Sequence, residues 1–299
     1  MELCCRQPEA NGNRDRVQSW HVRQRLFSPT SCLKHPHVDP NVPFLGGEAI
    51  ARRLAHDGYA VTINDIAANK AGVEKLVGEL NQTYGDRASI GVIADVASSS
   101  DVKAMVETSV KQLGPLTVMI ANAGICGVGA ALETSDELFA QTMSVNLNGV
   151  WNCYTHAARQ TIAQGPVPAG STGYKLLGAS SIAAYRPFPL LAPYCASKWA
   201  VKGMTQVFAV EMAKHDINVN CYAPGIVGTA MREKLDETLG KMQGRSKGET
   251  VRKYVHELTA MGRVSVPEDV SKVVGFLCGP DSAFVTGQNI VVDGGIVFS

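Results

Sequence analysis

Short apolar runs alternate with longer amphipathic segments from residue 48 to the end of the chain. The runs have the length and composition of buried strands, and the longer segments have the spacing of helices. The predicted strands are 59–64, 88–94, 117–121, 175–180, 217–223 and 289–292. The predicted helices are 48–56, 68–83, 99–113, 136–164, 193–214 and 267–278. This alternation predicts an α/β fold, a doubly wound parallel sheet with helices on both faces.

The segment before the first predicted helix does not follow this alternation. Residues 1–43 are rich in Arg, Asn, Pro and Ser and show no regular period. Three prolines fall in the stretch 35–45, and each removes a backbone donor that a central strand needs. We therefore predict a disordered or atypical leader over 1–43 and one domain over 44–299. An irregular strand over 38–45 is one alternative, and a mitochondrial presequence, disfavoured by the acidic residues of the leader, is another.

Composition is consistent with one large domain and excludes some classes of partner. The 299 residues are 45% hydrophobic and 18% charged, with a formal charge of +1, which gives no broad electrostatic case for nucleic acid or membrane partners. No apolar stretch approaches the roughly 20 residues of a membrane span, and the N-terminus lacks the apolar centre of a secretory signal. The eight cysteines show no C-x-x-C spacing. We expect buried thiols, no metal site and a cytoplasmic location.

The first candidate for chemistry is a pair of side chains in the helix predicted over 193–214. Tyr194 and Lys198 are four residues apart, so they share one helix face. A nearby ammonium favours the phenolate, and a phenol with its ordinary pKa of about 10 is a poor proton shuttle near neutrality. Considered alone, the pair is equally consistent with an ordinary surface contact.

Other polar motifs follow the predicted strands at a similar position. Ser181 ends one strand-like run, Ala121-Asn122-Ala123-Gly124 follows another, and 224–229 follows a third. Asn146 lies in a further polar motif between two of these strands. Open α/β sheets bind ligands at the carboxyl ends of their strands, so these residues are candidates for one shared site.

The order and spacing of these motifs, with the C-terminal run 287–295, resemble the short-chain dehydrogenase/reductase family from Gly46 to the end of the chain. The resemblance implies a single Rossmann-like domain that transfers a hydride between a nicotinamide cofactor and a ketone or secondary alcohol. It also implies a catalytic set, which is Asn146, Ser181, Tyr194 and Lys198.

The resemblance assigns a role to each catalytic residue. Tyr194 would exchange a proton with the substrate oxygen, and Ser181 would hydrogen-bond the same oxygen. Lys198 would lower the pKa of Tyr194 and hold the nicotinamide ribose. Asn146 would hold a water linked to Lys198.

The cofactor site implied by the resemblance departs from the family pattern at its start. Gly47 matches the last glycine of the family's glycine-rich turn, but the usual first strand and the earlier glycines are missing or replaced. Asp65 matches the acid that binds the adenosine ribose, and a carboxylate there would repel a 2′-phosphate, so we expect NAD rather than NADP. For Asp65, as for Asp95 at the adenine, a helix cap is the alternative. The implied cofactor residues are Gly47, Asp65, Asp95, Val96, Asn122, Gly124, Tyr194, Lys198, Pro224, Gly225, Val227 and Thr229.

The expected substrate is a small carbonyl or alcohol compound. The acetoin/diacetyl reductases (butanediol dehydrogenases) are the branch that the sequence resembles most, and reductases of 3-oxoacyl carriers are the next. The residues expected to line the substrate pocket are mostly apolar and include Ile125, Ala183, Phe188, Leu190 and Leu191. The polar stretch 231–254 matches the family's substrate lid, and a solvated helical excursion is the alternative.

The resemblance also implies subunit association. The helices predicted over 136–164 and 193–214 match helices that pair between subunits, so we expect a homodimer or homotetramer. A non-catalytic form that lacks the glycine-rich turn, cannot grip a dinucleotide and acts only through association is the second hypothesis.

Overall fold

One seven-stranded sheet organises the computed structural model, which describes residues 1–6, 45–167, 173–228, 236–240, 244, 246 and 248–298. The strands are β1 (Glu2–Arg6), β2 (Ala60–Asp65), β3 (Ser89–Ile93), β4 (Val118–Ala121), β5 (Tyr174–Ala179), β6 (Ile217–Pro224) and β7 (Asn289–Val292). They lie in the order β3-β2-β1-β4-β5-β6-β7. Both pairs that involve β1 are antiparallel and the other four are parallel. The six predicted strands are confirmed, each end within one residue.

The helices lie between these strands along the chain. They are α1 (Leu45–His56), α2 (Lys70–Tyr84), α3 (Ser99–Leu113), α4 (Asp136–Met143), α5 (Gly149–Ala163), α6 (Ala192–Met212), α7 (Glu249–Leu258) and α8 (Pro267–Cys278). The six predicted helices are confirmed. The segment predicted as one helix over 136–164 is interrupted by a π-helical turn, Ser144–Asn148, between α4 and α5. Helix α7 begins within the polar, glycine-rich stretch 231–254, for which a lid was expected and a solvated helix was the alternative.

The first strand is the main departure from expectation. We expected no regular structure in residues 1–43, yet Glu2–Arg6 form the central strand, while residues 7–44 lie outside the described residues. Leu3 is paired with Ile63 of β2 on one side and with Ile120 of β4 on the other. The five-residue run is too short to give a recognisable period, but its apolar side chains fill the gap between two buried strands. The usual first strand is thus replaced by a reversed one.

The hydrophobic core has one layer on each face of the sheet, and β1 contributes to both. Leu3 and Cys5 pack with Ile50 and Leu54 of α1, whereas Cys4 packs in the layer formed with α3, α5 and α6. This alternation is what a strand with side chains on opposite faces produces. Within the described residues, no helix combines the length and the apolar character needed to cross a membrane.

The reversed direction of β1 determines which of its residues lie at the edge of the sheet where ligands bind. A parallel first strand would bring its carboxyl end to the carboxyl ends of β2 and β4. Because β1 is antiparallel to both, its amino end lies there instead, with Glu2 opposite Asn64 of β2. Open α/β sheets bind ligands at this edge, so Met1 and Glu2 lie where a ligand is expected.

Candidate active site

A cleft of about 240 Å³ opens beyond the carboxyl ends of the central strands. Its wall is formed by the turns after β4, β5 and β6, the start of α6 and the start of α1. Its lining includes Gly47, Asn122, Gly124, Ser181, Ala183, Phe188, Leu191, Tyr194, Lys198, Pro224, Gly225 and Val227. The structure therefore brings most of the sequence-predicted site residues to one cavity.

Tyr194 and Lys198 lie in the first two turns of α6, which begins with a proline near its first position. Lys198 is buried, and its Nζ lies 5.5 Å from the centroid of the Tyr194 ring. The same Nζ donates a hydrogen bond of 2.8 Å to the carbonyl oxygen of Ala179, the last residue of β5. The sheet thus fixes the ammonium beside the phenol.

The electrostatics of this pair differ from the expectation. Burial raises the pKa of the Tyr194 phenol above its ordinary value, and a hydrogen bond with Ser181 offsets this only in part. Burial lowers the pKa of Lys198 to about 8, against the opposing effect of the negative charge of Glu2. Burial is the largest cause of this shift, so the chain's own groups do not lower the pKa of Tyr194. The phenol is therefore protonated at neutral pH. The lower pKa expected from Lys198 together with a second cation on a bound cofactor stays a prediction.

Ser181 follows β5 and begins a short 3₁₀ turn, Ile182–Ala184. Its Oγ accepts a hydrogen bond of 3.1 Å from the backbone N–H of Ala183, which fixes the hydroxyl toward the cleft wall that includes Tyr194. The side chain is 8% exposed. A fixed hydroxyl next to a phenol can bind one oxygen atom of a ligand from two directions.

Asn146 lies in the π-helical turn between α4 and α5 and is fully buried. Its amide accepts a hydrogen bond of 2.8 Å from the N–H of Ile125 and donates one of 2.9 Å to the Ile125 carbonyl. It also donates to Ser197 Oγ at 3.1 Å. Asn146 therefore ties the loop after β4 to α6, one residue from Lys198. π-Helical turns occur often at functional sites, and this one aims an amide into the interior.

Two glycines allow close packing in the wall of the cleft. A Cβ at Gly124 would lie 3.3 Å from Asn146 Oδ1 and 3.4 Å from Lys198 Nζ. A Cβ at Gly225 would lie 2.6 Å from the Cβ of Asp293, so no side chain fits there without movement. Pro224 and Val227 line the cleft on either side of Gly225. Thr229 lies outside the described residues.

The acids predicted to hold the adenosine lie at the expected strand ends but do not line the cleft. Asp65 Oδ1 accepts from the N–H of Ile66 at 2.8 Å, and Oδ2 accepts from Asn69 Nδ2 at 2.9 Å. Asp95 Oδ1 accepts from the N–H of Ala97 at 2.9 Å, as in a turn. Val96 is buried, and its carbonyl accepts from Asn152. Both carboxylates thus hydrogen-bond within local turns, and neither is the N-cap of the following helix, which was the alternative considered for them.

Two residues that sequence reasoning missed lie at the same edge. The buried Glu2 carboxylate accepts hydrogen bonds from the backbone N–H groups of Asn122 and, at 2.6 Å, Ala123. The Met1 carbonyl accepts one of 3.2 Å from Asn122 Nδ2. Burial raises the pKa of Glu2 to about 7. A single acid in a segment without periodicity gives no signal that could have identified it.

The substrate side of the cleft is mostly apolar. Ala183, Phe188 and Leu191 line it, whereas Ile125 and Leu190 are absent from its lining. Leu258, at the end of α7, also lines the cleft, with Leu239 from the helical segment 236–240. Leu239 belongs to the stretch 231–254, and Leu258 follows it closely. Residues 231–235, 241–243, 245 and 247 of that stretch lie outside the described part.

One carboxylate, that of Asp236, connects two described segments of the predicted lid. Asp236 is buried and accepts hydrogen bonds from the N–H groups of Gly248 and, at 2.9 Å, Val251 at the start of α7. Val251 and Val255 of α7 belong to an apolar cluster that also contains Ile182 and Phe188. Helix α7 thus covers the turn that follows Ser181.

Comparison with known proteins agrees with this architecture. The family model described as enoyl-(acyl carrier protein) reductase matches residues 47–297. The chain is 35% identical over 253 residues to an L-2,3-butanediol dehydrogenase of Corynebacterium glutamicum, covering 85% of this chain and 95% of the relative. It is 37% identical over 254 residues to a diacetyl reductase [(S)-acetoin forming] of Staphylococcus aureus, covering 84% of this chain and 93% of the relative.

Among solved structures, a gluconate 5-dehydrogenase from Burkholderia cenocepacia in complex with NADP and tartrate superimposes with a TM-score of 0.71. It is 27% identical, and the match covers 84% of this chain and 90% of that one. The chain belongs to the short-chain dehydrogenase/reductase family. It is an oxidoreductase that acts on alcohol or carbonyl groups, and its family uses NAD or NADP.

The residues of the cleft fit one end of such a dinucleotide and not the other. At the end expected to hold the nicotinamide, Tyr194 and Lys198 line the open cleft. At the end expected to hold the pyrophosphate and adenosine, Met1 packs against Gly47, where an added Cβ would lie 2.9 Å from the Met1 Cβ. The fit is therefore incomplete while Met1 and Glu2 stay in place.

Proposed function

We propose that this chain is an NAD-linked reductase and dehydrogenase of small vicinal ketones and alcohols such as diacetyl and acetoin. The observation that carries the proposal is the convergence of Ser181, Tyr194 and Lys198 on one cleft with a largely apolar wall. Two of the relatives are a butanediol dehydrogenase and a diacetyl reductase, which supports this substrate class.

The catalytic roles follow from the positions of the side chains. A bound nicotinamide supplies or accepts the hydride. In reduction, the neutral Tyr194 phenol donates its proton to the carbonyl oxygen and becomes a phenolate. In oxidation, the phenolate takes that proton from the substrate hydroxyl and becomes the neutral phenol again. Ser181 donates a hydrogen bond to the same oxygen and so favours the developing negative charge. The Lys198 ammonium stabilises the phenolate that remains after proton transfer.

Asn146 acts on this machinery through the chain rather than by contact with the substrate. It hydrogen-bonds both backbone groups of Ile125 and the hydroxyl of Ser197. These bonds hold the Gly124 backbone against the Lys198 ammonium. We assign Asn146 a positioning role. It can in addition hold a water molecule that relays protons from Lys198.

The apolar wall supports a small neutral substrate. Phe188 and Leu191 line the cleft with hydrocarbon groups, and Lys198 is the one Lys or Arg among the described residues that line it. A substrate with a carboxylate would therefore compete for the ammonium that stabilises the phenolate. A short diketone needs only an oxygen site and a hydrophobic wall, and the cleft offers both.

The preference for NAD rests on Asp65 at the end of β2. A carboxylate at this strand end repels the 2′-phosphate of NADP. Its hydrogen bonds with Ile66 and Asn69 hold the carboxylate in place at that strand end.

The test is steady-state turnover of the purified full-length chain, followed by NADH or NADPH absorbance. We expect diacetyl to be reduced, with a higher kcat/KM for NADH than for NADPH, and a 3-oxoacyl thioester to be a poorer substrate. Saturable binding of NADH or NADPH is measured in parallel by cofactor fluorescence. Absence of both binding and turnover with every substrate would exclude the proposed function.

A further inference from the structure

We propose that the amino end of β1 is an autoinhibitory element, in which Met1 and Glu2 occupy the adenosine side of the cofactor cleft and must withdraw before a dinucleotide binds. This inference rests on the proposed function, because it concerns the regulation of the same site. Three observations carry it.

The first observation is that Met1 contacts the candidate cofactor residues directly. Its Cβ and Sδ lie 2.9 and 3.2 Å from the position that a Cβ at Gly47 would take. Its carbonyl accepts from Asn122 Nδ2, and its amino group lies 3.9 Å from Asp65 Oδ2. Gly47, Asp65 and Asn122 are three of the residues assigned to the dinucleotide. A ligand that reaches them displaces Met1.

The second observation is the use of the backbone donors after β4. The N–H groups of Asn122 and Ala123 both donate to the Glu2 carboxylate. Backbone N–H groups at the carboxyl edge of an open sheet are the groups that bind anionic and hydroxyl ligands. Glu2 thus provides an intramolecular acceptor for donors that would otherwise face the cleft.

The third observation is that the end of β1 can move without loss of the strand. Leu3, Cys4 and Cys5 are paired with both β2 and β4, whereas Glu2 is paired only with β2. Leu3 and Cys5 are also anchored in the core. Withdrawal of Met1 and Glu2 therefore breaks a few hydrogen bonds and leaves the centre of the sheet intact.

These contacts set a conformational equilibrium. When a binding-competent state is only partly populated, the apparent dissociation constant rises by the inverse of that population. A variant that weakens the hydrogen bonds holding Glu2 in place therefore binds the dinucleotide more tightly. A merely structural role for β1 predicts the opposite, because loss of its contacts would loosen the cleft.

The experiment is a fluorescence titration with NADH of the full-length wild type and of Glu2→Gly, Glu2→Gln and Glu79→Gln. Glu79 is an exposed carboxylate on α2 that pairs with Arg52, so its loss changes the net charge equally, away from the cleft. We expect the dissociation constant to fall by about tenfold in Glu2→Gly, by less in Glu2→Gln, and not at all in Glu79→Gln. Circular dichroism establishes that each variant is folded.

A second measurement needs no variant. Hydrogen–deuterium exchange of the N-terminal peptide of the wild type is followed with and without saturating NADH, and we expect faster exchange when NADH is bound. NADH binding with unchanged or slower exchange, or with unchanged affinity in folded Glu2→Gly, overturns the autoinhibitory role and leaves the proposed function standing. Failure of NADH and NADPH to bind any of the four proteins overturns both.

Discussion

The Nζ of Lys198 donates a 2.8 Å hydrogen bond to the carbonyl oxygen of Ala179, so the ammonium is fixed to the end of a central strand. It lies 5.5 Å from the centroid of the Tyr194 ring on the same helix. The relative position of the two side chains is thus set by the packing of α6 on β5 rather than by the helix alone. A rigid pair of this kind keeps the phenol close to one cation throughout a reaction.

Replacement of Tyr194 by phenylalanine should abolish proton transfer. We expect kcat for diacetyl reduction to fall by about 10²–10⁴-fold, because general acid catalysis contributes a factor of this size. The dissociation constant of NADH should change little. Turnover is followed by NADH absorbance, and Tyr84→Phe, at an exposed tyrosine at the end of α2, is the matched control. Equal turnover of the two variants would contradict the role of Tyr194.

The pKa of Lys198 predicts a specific pH profile. Burial lowers this pKa to about 8, so the ammonium loses its proton above that pH in the free enzyme. We expect kcat/KM for diacetyl reduction to decline above pH 8, since the phenolate left by proton transfer loses its cation. In Lys198→Arg the guanidinium stays charged, so a slower enzyme should show no such decline. The same alkaline limb in both proteins would assign it to another group.

Most of the sheet and most residues of the cleft could be predicted from the sequence, because they depend on patterns between residues that are close along the chain. Runs such as Ile217–Pro224 are long, apolar and bounded by turn signals, and they lead directly to polar motifs at the functional edge. Tyr194 and Lys198 are close because a helix fixes their spacing. Such features need no knowledge of distant contacts.

The parts that could not be predicted depend on contacts between distant segments. Glu2–Arg6 become a strand only because β2 and β4 leave a central position to fill, and nothing within five residues reveals this. The raised pKa of Tyr194 follows from burial that the fold creates. Glu2 acquires a role only through the N–H groups of two residues that are 120 and 121 positions away.

The close packing of the turn after β6 against Asp293 can be tested by a substitution that adds one methyl group. A Cβ at Gly225 would lie 2.6 Å from Asp293 Cβ and 2.8 Å from its Cα, so Gly225→Ala must move the backbone. We expect a loss of about 1–3 kcal/mol of unfolding free energy, measured with urea. At Gly78, in the middle of α2, nothing lies within 4 Å, and Gly78→Ala should instead stabilise the protein by about 0.5–1 kcal/mol. Equal effects of the two substitutions would be inconsistent with this packing.

The outer faces of α5 and α6 predict association of subunits. Trp199, Val207 and Val210 share one helical face of α6 and are 50%, 56% and 80% exposed. Trp151 of α5 is 51% exposed and makes an edge-to-face contact with Phe208 of α6. Large apolar patches of this kind mark interaction surfaces, so we expect a homodimer or homotetramer.

Light scattering coupled to size-exclusion chromatography tests this association. Val210→Glu places a charge in the centre of the apolar face and should lower the molar mass to that of a smaller species. Ile66→Glu, at a half-exposed residue after β2, is the control and should leave the mass unchanged. A wild type that is monomeric at all concentrations would contradict the interpretation of the patch.

Glu2 and Lys198 together predict how stability depends on pH. The pKa of Glu2 is raised from 4.5 to about 7 by burial, so the folded state holds more protons than the unfolded state between these values. Its contribution to stability is therefore greatest below pH 4.5 and declines as the pH rises to 7, by about 3 kcal/mol. The pKa of Lys198 is lowered from 10.5 to about 8, so the unfolded state holds more protons in that window. Its burial costs stability below pH 8, and stability recovers as the pH rises toward 10.5.

The two contributions have opposite slopes and leave a minimum between pH 7 and 8. Urea denaturation of the wild type from pH 5 to 10, compared with Glu2→Gln and Lys198→Met, separates them. We expect Glu2→Gln to remove the declining limb and to move the rising limb to lower pH, because the Lys198 ammonium loses a neighbouring negative charge. Lys198→Met should remove the rising limb and move the declining limb to higher pH, because the Glu2 carboxylate loses a neighbouring positive charge. A declining limb that persists in Glu2→Gln would mean that the carboxyl group of Glu2 is not buried between β2 and β4 in solution, and the reversed first strand would have to be abandoned with it.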